Sequence, residues 1–188
     1  MTTAISVARY ILDERERRGH STTTFALQKF LYLCKGWSLV AKNDALFTDA
    51  MSAWDHGPVI DSTWPYCRGR YYISSSALPD LSNDKELSES QTSVINRVLD
   101  MFDSVDDSSL GDKLEGLSHR QDPWRNARVT KDCIITDVSL KKYFESLQAD
   151  PPEEQKQYVP LLADLSDRTI ISDEDMSWLE TTFGLSQR

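Results

Sequence analysis

Cysteine, glycine and proline are scarce in this 188-residue chain, at three, seven and seven copies. Cys34, Cys67 and Cys133 are odd in number, far apart and without CxxC spacing, which excludes a disulfide scaffold and points to a reducing, cytoplasmic compartment. The low glycine and proline content excludes collagen-like and low-complexity chains. No apolar run reaches the length of about 18 residues that a membrane-spanning helix needs. Asp13 and Glu14 follow Ile11 and Leu12 directly, so no signal-peptide core is expected. Basic residues are also in short supply: 21 Lys and Arg stand against 30 Asp and Glu, a net charge of -9. A surface that grips a phosphate backbone needs clustered cations, so nucleic acid is not an expected partner. The densest basic stretch, Arg15, Arg17 and Arg18, is interleaved with Glu14 and Glu16 and makes a poor recognition helix.

The charge is unevenly divided. Residues 1–78 carry 9 basic and 7 acidic side chains, and residues 79–188 carry 12 and 23. The acid excess reads either as a solvated surface or as a face that attracts a basic partner.

Apolar periodicity dominates what is present. Ala4, Val7, Ala8, Ile11 and Leu12 form one helical face within the first 19 residues, and Gly19 supplies a stop. Hydroxyls at 21–24 offer N-caps for a second helix over Thr24–Ala41, with Gln28 near its first turn. Leu27, Phe30, Leu31, Cys34 and Trp37 form its stripe, widened by Leu33, Leu39 and Val40, which predicts a central helix. Gly36 within it predicts a close neighbour. Further helices are expected at Ser88–Ser104, around Leu110–Leu117, at Asp137–Leu147 and at Ser172–Phe183. Pro58 suits the first residue of a short helix, whereas Tyr71, Tyr72 and Ile73 favour an extended arm. Pro123 disfavours helical geometry at Asp122, and residues 149–155 read as a linker or a stiff proline turn. The fold class expected is mainly α, with at most a short strand or hairpin.

No P-loop, dinucleotide fingerprint, GxSxG elbow or metal-ligand spacing occurs among these residues. His20, His56 and His119 are scattered. His56 beside Asp55 invites a general-base reading, with Cys67 or Ser118 as nucleophile. The plainer reading makes His56 a turn residue bonded to a backbone carbonyl and Ser118 a helix-end hydroxyl. Trp37, Trp54, Trp64, Trp124 and Trp178 serve as core anchors or as a partner surface.

Three blocks resemble one family. Leu27, Gln28, Lys29, Phe30, Leu31 and Tyr32 are similar to its Leu-Gln-Lys-Leu-Leu-Tyr block. Ala53, Trp54, Gly57, Pro58 and Val59 match its Ala-Trp-x-x-Gly-Pro-Val block, and Ser118, His119, Pro123 and Trp124 match a Ser/Thr-His…Pro-Trp block. Their order over residues 4–147 resembles the Panacea domain of SocA-like antitoxins and phage-associated GepA-type proteins. Phe30 in place of Leu, and the pair Leu33-Cys34, are conservative departures. The resemblance implies a compact multi-helix domain over residues 1–150; residues 151–188 lie beyond the family pattern and are expected to form an extension with a terminal helix. The resemblance also implies a bacterial or phage-encoded antitoxin that binds a cognate toxin, without enzymatic activity, cofactor or metal. The implied alternative is an adaptor that delivers the toxin to a bacterial ATP-dependent protease. A small hydrolase using His56 or His119 is the reading from a different class. Under the resemblance Leu27, Leu31, Tyr32 and Trp37 hold the core. Gln28, Lys29, Tyr32, Trp54, His56, Gly57, Pro58, Val59, Ser118, His119, Pro123 and Trp124 are the motif residues and candidates for partner contact.

Overall fold

The computed structural model describes residues 2–80 and 86–162. The expected terminal helix at Ser172–Phe183 lies outside the described residues.

Helix α1 spans Ala4–Arg17, with the Thr3 hydroxyl accepting from the Ser6 amide. Its buried face holds the five apolar residues of the repeat together with Arg15. Gly19, at φ +86°, ends it. The Gly19 and His20 amides, each 2.9 Å from their acceptors, return to the carbonyls of Glu16 and Arg15. This double bond pattern satisfies two of the four carbonyls that a helix end orphans.

Helix α2, Thr24–Lys42, has sixteen of its nineteen residues buried. A helix buried nearly all round belongs at the centre of a domain. Here α1, α4 (Glu89–Asp100), α5 (Asp107–His119) and α7 (Asp137–Ala149) surround it, and a hairpin packs beside its first half. Phe30 meets Phe102 edge-to-face, and Trp37 meets Phe144 in the same way, with ring centroids 5.7 and 4.9 Å apart. The close neighbour predicted at Gly36 is the Phe144 ring, 2.5–2.7 Å from where a β-carbon would stand.

Strands β1 (Met51–Trp54) and β2 (Gly57–Ile60) form an antiparallel hairpin, with Trp54 opposite Gly57 and Met51 opposite Ile60. Asp55 and His56 make its two-residue loop. The helix expected from Pro58 is therefore corrected. Pro58 lies in β2 opposite Ala53, and the short helix α3 starts later, at Trp64–Cys67, with Pro65 in its first turn. Tyr71–Ile73 is the expected extended arm: the Thr24 amide donates to Tyr71 O and the Ile73 amide to Thr22 O.

Three of the remaining helices start on hydroxyl or carboxylate caps. Ser88 and Gln91 form a reciprocal capping box on α4, Asp106 caps α5 and Thr136 caps α7. A second correction concerns Asp122, which is helical. Helix α6 spans Asp122–Arg128 with a proline in its first turn, where the missing amide costs nothing. Of residues 149–155, Ala149 ends α7 and residues 153–155 open a 3-10 helix, Glu153–Tyr158, so the connection is reduced to a short proline turn at residues 150–152. Tyr158 stacks on Phe102 with centroids 5.4 Å apart. Among the described residues the fold is mainly α with one two-stranded hairpin, as expected. No described helix is long and apolar enough to cross a membrane.

Candidate functional site

Gln28, one turn inside α2, is 1% exposed and serves as a clamp. Its Oε1 accepts from the Ile60 amide at 2.8 Å, and its Nε2 donates to Thr63 Oγ1 at 2.9 Å and Cys67 Sγ at 3.3 Å. The clamp ties the end of β2 and the start of α3 to the central helix. It also fixes the height of the hairpin loop above the next residue, Lys29.

Gly57 opens β2 at φ +104°, a conformation that side chains rarely adopt. A β-carbon there would stand 2.7 Å from Lys29 Cε and 3.0 Å from Ser118 Oγ. Gly57, Lys29 and Ser118 come from three different sequence blocks and meet at one point. Lys29 lies beneath the loop, with its ammonium 5.2 Å from the centre of the Phe25 ring. Burial lowers its pKa to about 8, against an opposing pull from the Glu115 carboxylate.

The third block closes the other side. His119 stacks on Trp124, 4.1 Å between centroids, and Trp124 Nε1 donates to the Trp54 carbonyl at 3.0 Å. Pro123 is buried and starts the helix that presents Trp124. Arg128, one turn further, donates to the Ala53 carbonyl at 3.0 Å and pairs with Asp55. Trp54 meets Trp64 edge-to-face at 5.0 Å and is 40% exposed. Val59 is buried against the same space.

The result is a cleft of about 560 Å³ lined by Phe25, Lys29, Trp54, Val59, Trp64 and Arg128, among others. A smaller hollow of about 190 Å³ adjoins it, sharing Phe25 and His56 and reaching Tyr71 and Glu115. Phe25, Trp54 and Tyr71 are the large exposed aromatics that line these two hollows.

His56 is an exposed loop residue, but its partner is a carboxylate and not the backbone carbonyl expected. Its Nδ1 lies 3.2 Å from Glu115 Oε1. His119 Nε2 lies 3.8 Å from the same oxygen, and burial holds that imidazole below the usual histidine value. Ser118 donates to the Glu115 carbonyl at 3.0 Å, which makes it the expected helix-end hydroxyl. Cys67 is buried, which pushes its thiol pKa up and disfavours the thiolate. Tyr32 is fully buried against Phe144 and does not line the cleft. Among the described residues no group of three or more His, Cys, Asp and Glu could hold a metal ion.

Phe25, Glu115 and Arg128 contribute to this face without having stood out as site candidates in the sequence; Trp64, expected with the other tryptophans to be a core anchor or part of a partner surface, lines it too. Phe25 carried the one usable signal, an aromatic on the polar side of an otherwise buried helix. The basic stretch of α1 is spent internally. Arg15 pairs with Asp107 at 2.8 Å, Arg17 with Glu14 at 2.7 Å, and Arg18 with Glu14, Asp100 and Asp103 at 2.7–2.8 Å.

Residues 27–125, just over half the chain, match the family model described as antitoxin SocA-like, Panacea domain. No curated protein and no solved structure matches the chain.

Proposed function

Because the chain belongs to the SocA-like antitoxin family of Panacea-domain proteins, we propose that it neutralises a cognate toxin by direct protein–protein contact. The observation that carries this reading is the convergence of the three sequence blocks on one concave, aromatic-rich face. Gly57, Lys29 and Ser118 meet at its centre, and Trp124 is tied to Trp54. Exposed aromatics around a cleft of fixed shape suit a protein interface, where such residues carry much of the binding energy.

In this reading the protein acts in the cytoplasm, without catalysis or a cofactor. The Ser118 hydroxyl is engaged by a backbone carbonyl, and His56 and His119 face one shared carboxylate. Gln28 and Tyr32 then act from within the core, while Trp54, His56 and Trp124 face the partner. Residues 1–150 are the shared domain. The acidic region and the extension at 151–188 adjust the fit to one toxin.

Co-expression with the product of the adjacent gene is the test. Growth arrest by that product alone, relieved when this protein is present, is the expected result. A product that is harmless alone, or toxic in both cases, ends the reading. Toxin half-life in the same cells separates contact, which does not shorten it, from delivery to an ATP-dependent protease, which does.

A further inference from the structure

Three cations are buried among the described residues: Arg15, Lys29 and Lys35, at 0, 1 and 3% exposure. Arg15 has Asp107 at 2.8 Å and Lys35 has Asp137 at 2.7 Å. Lys29 has neither an ion pair nor a hydrogen bond among the described residues. A buried ammonium without an acid is costly, and the usual remedy is a paired carboxylate. The acids around the cleft are engaged elsewhere, although Glu115 still pulls on Lys29 through space. Asp55 pairs with Arg128, Asp132 accepts from Thr130 Oγ1 at 2.8 Å, and Glu115 serves His56. Lys29 nevertheless lines the open cleft, with Phe25 on one side and the Gly57 backbone above it.

We propose that this cleft is an anchoring pocket for a carboxylate of the protein partner, an aspartate or glutamate that reaches Lys29 while its apolar neighbours pack on Phe25, Trp54 and Trp64. The identity of that partner as a toxin rests on the function proposed above; the chemistry of the pocket does not. The occupant is a protein segment because the aromatic wall does not stop at the cleft. It continues through Phe25, which lines both, into the adjoining hollow as far as Tyr71, so that more than a single side chain can lie along it. The depressed pKa of Lys29 agrees with a site awaiting an anion: an arriving carboxylate offsets the burial that lowers it.

The decisive probe is a blocked tripeptide, N-acetyl-Phe-Glu-Leu amide, against its Gln counterpart, titrated into the full ¹⁵N-labelled chain. The acidic peptide is expected to shift the indole signals of Trp54 and Trp64 and to bind at least about tenfold more tightly than the neutral one, as desolvated charge pairs do. Lys29→Met should abolish that preference while leaving the melting temperature equal or higher, because an unpaired buried charge has been removed. A lysine with only a structural role would lose stability on the same substitution. Equal binding of the two peptides, no shift with either, or an acid preference that survives in Lys29→Met overturns the pocket. Binding of phenylacetate at the same signals without any response to the tripeptide would assign the site to a small acid and overturns it as well. These outcomes need no toxin. If the peptides behave as expected and the adjacent gene product is harmless, the antitoxin reading fails alone. If neutralisation is real and the wild-type and Lys29→Met proteins bind the toxin equally well, the anchoring role in that complex fails alone.

Discussion

Gly57 stands directly over Lys29: a β-carbon on the glycine would lie 2.7 Å from Lys29 Cε. Its φ of +104° adds backbone strain for any side chain. Gly57→Ala is therefore expected to cost about 1 to 3 kcal/mol, chiefly from backbone strain, because the flexible end of Lys29 can shift. Urea denaturation of the purified variant measures it, and a change below about 0.5 kcal/mol would show that the loop has slack.

The Gln28 clamp gives a second expectation. Gln28→Leu removes the acceptor of the buried Ile60 amide and leaves Thr63 without its amide donor. Leaving such groups unsatisfied costs about 1 to 3 kcal/mol each, so the denaturation midpoint should fall clearly while the slope stays constant. The hairpin should loosen with it, seen as faster amide exchange at β2 than at α4.

Lys29 makes stability depend on alkaline pH. Its folded-state pKa of about 8 lies below the ordinary lysine value of 10.5. Between these values the unfolded chain binds more protons than the folded one, so stability rises with pH across that window. Below pH 8 the full penalty is present, on the order of 3 kcal/mol at about 1.4 kcal/mol per pH unit. Glu115 opposes the shift, and His56, His119 and the Asp55–Arg128 pair also border the region. The stability difference between wild type and Lys29→Met should change between pH 8 and 10.5. A constant difference would show that Lys29 does not titrate in that range.

Asp107 holds the α1–α2 corner. It accepts from Arg15 at 2.8 Å, from the Ser21 amide at 2.7 Å and from the Ser21 hydroxyl at 3.0 Å. Asp107→Asn leaves the fully buried Arg15 without its acid and should cost about 3 to 5 kcal/mol, read as a lower melting temperature. The carboxyl is held below its usual pKa: burial pushes it upward, but the Ser21 bonds and Arg15 outweigh that. Its stabilisation is thus complete above the normal carboxylate range and is lost as pH falls through the depressed value. Asp107→Asn should flatten that acid limb.

If the proposed toxin is the partner, the acid excess of residues 79–188 predicts salt-dependent association with it. Exposed charges are screened beyond about 10 Å at 0.1 M salt, so the association rate should fall as salt rises. A carboxylate seated on Lys29 is buried and should be screened far less. A dissociation rate that barely responds to salt is expected alongside a responsive association rate.

Periodicity made most helices legible, because a face buried against one centre repeats every three to four residues. Gly36 was legible for a related reason, since glycine inside a strong helix needs a neighbour to justify it. Pro58 and Pro123 were misread because proline opens helices, sits in strands and bounds loops. Only long-range pairing, such as Pro58 with Ala53, decides which. The motif residues could be picked out by resemblance, but their division of labour could not. Gln28 was read as near a helix start, yet its use is a bond to Ile60, thirty-two positions away. Glu115 and Arg128 gave no local signal at all, because their partners His56 and Asp55 are 59 and 73 positions distant.

The hairpin has one more consequence, which concerns what a partner cannot do. Along the outer side of β1, the Ala53 amide donates to Cys133 O at 2.7 Å, and Met51 O accepts from Ile135 at 2.9 Å. Along the outer side of β2, the Ile60 amide is taken by Gln28, and Pro58 has no amide to give. Neither edge keeps the run of free backbone donors that strand addition requires. A partner therefore cannot extend this hairpin by adding a strand to it. Divergent partners would be distinguished by what they insert between the aromatics, with no common backbone ladder to hold them all alike.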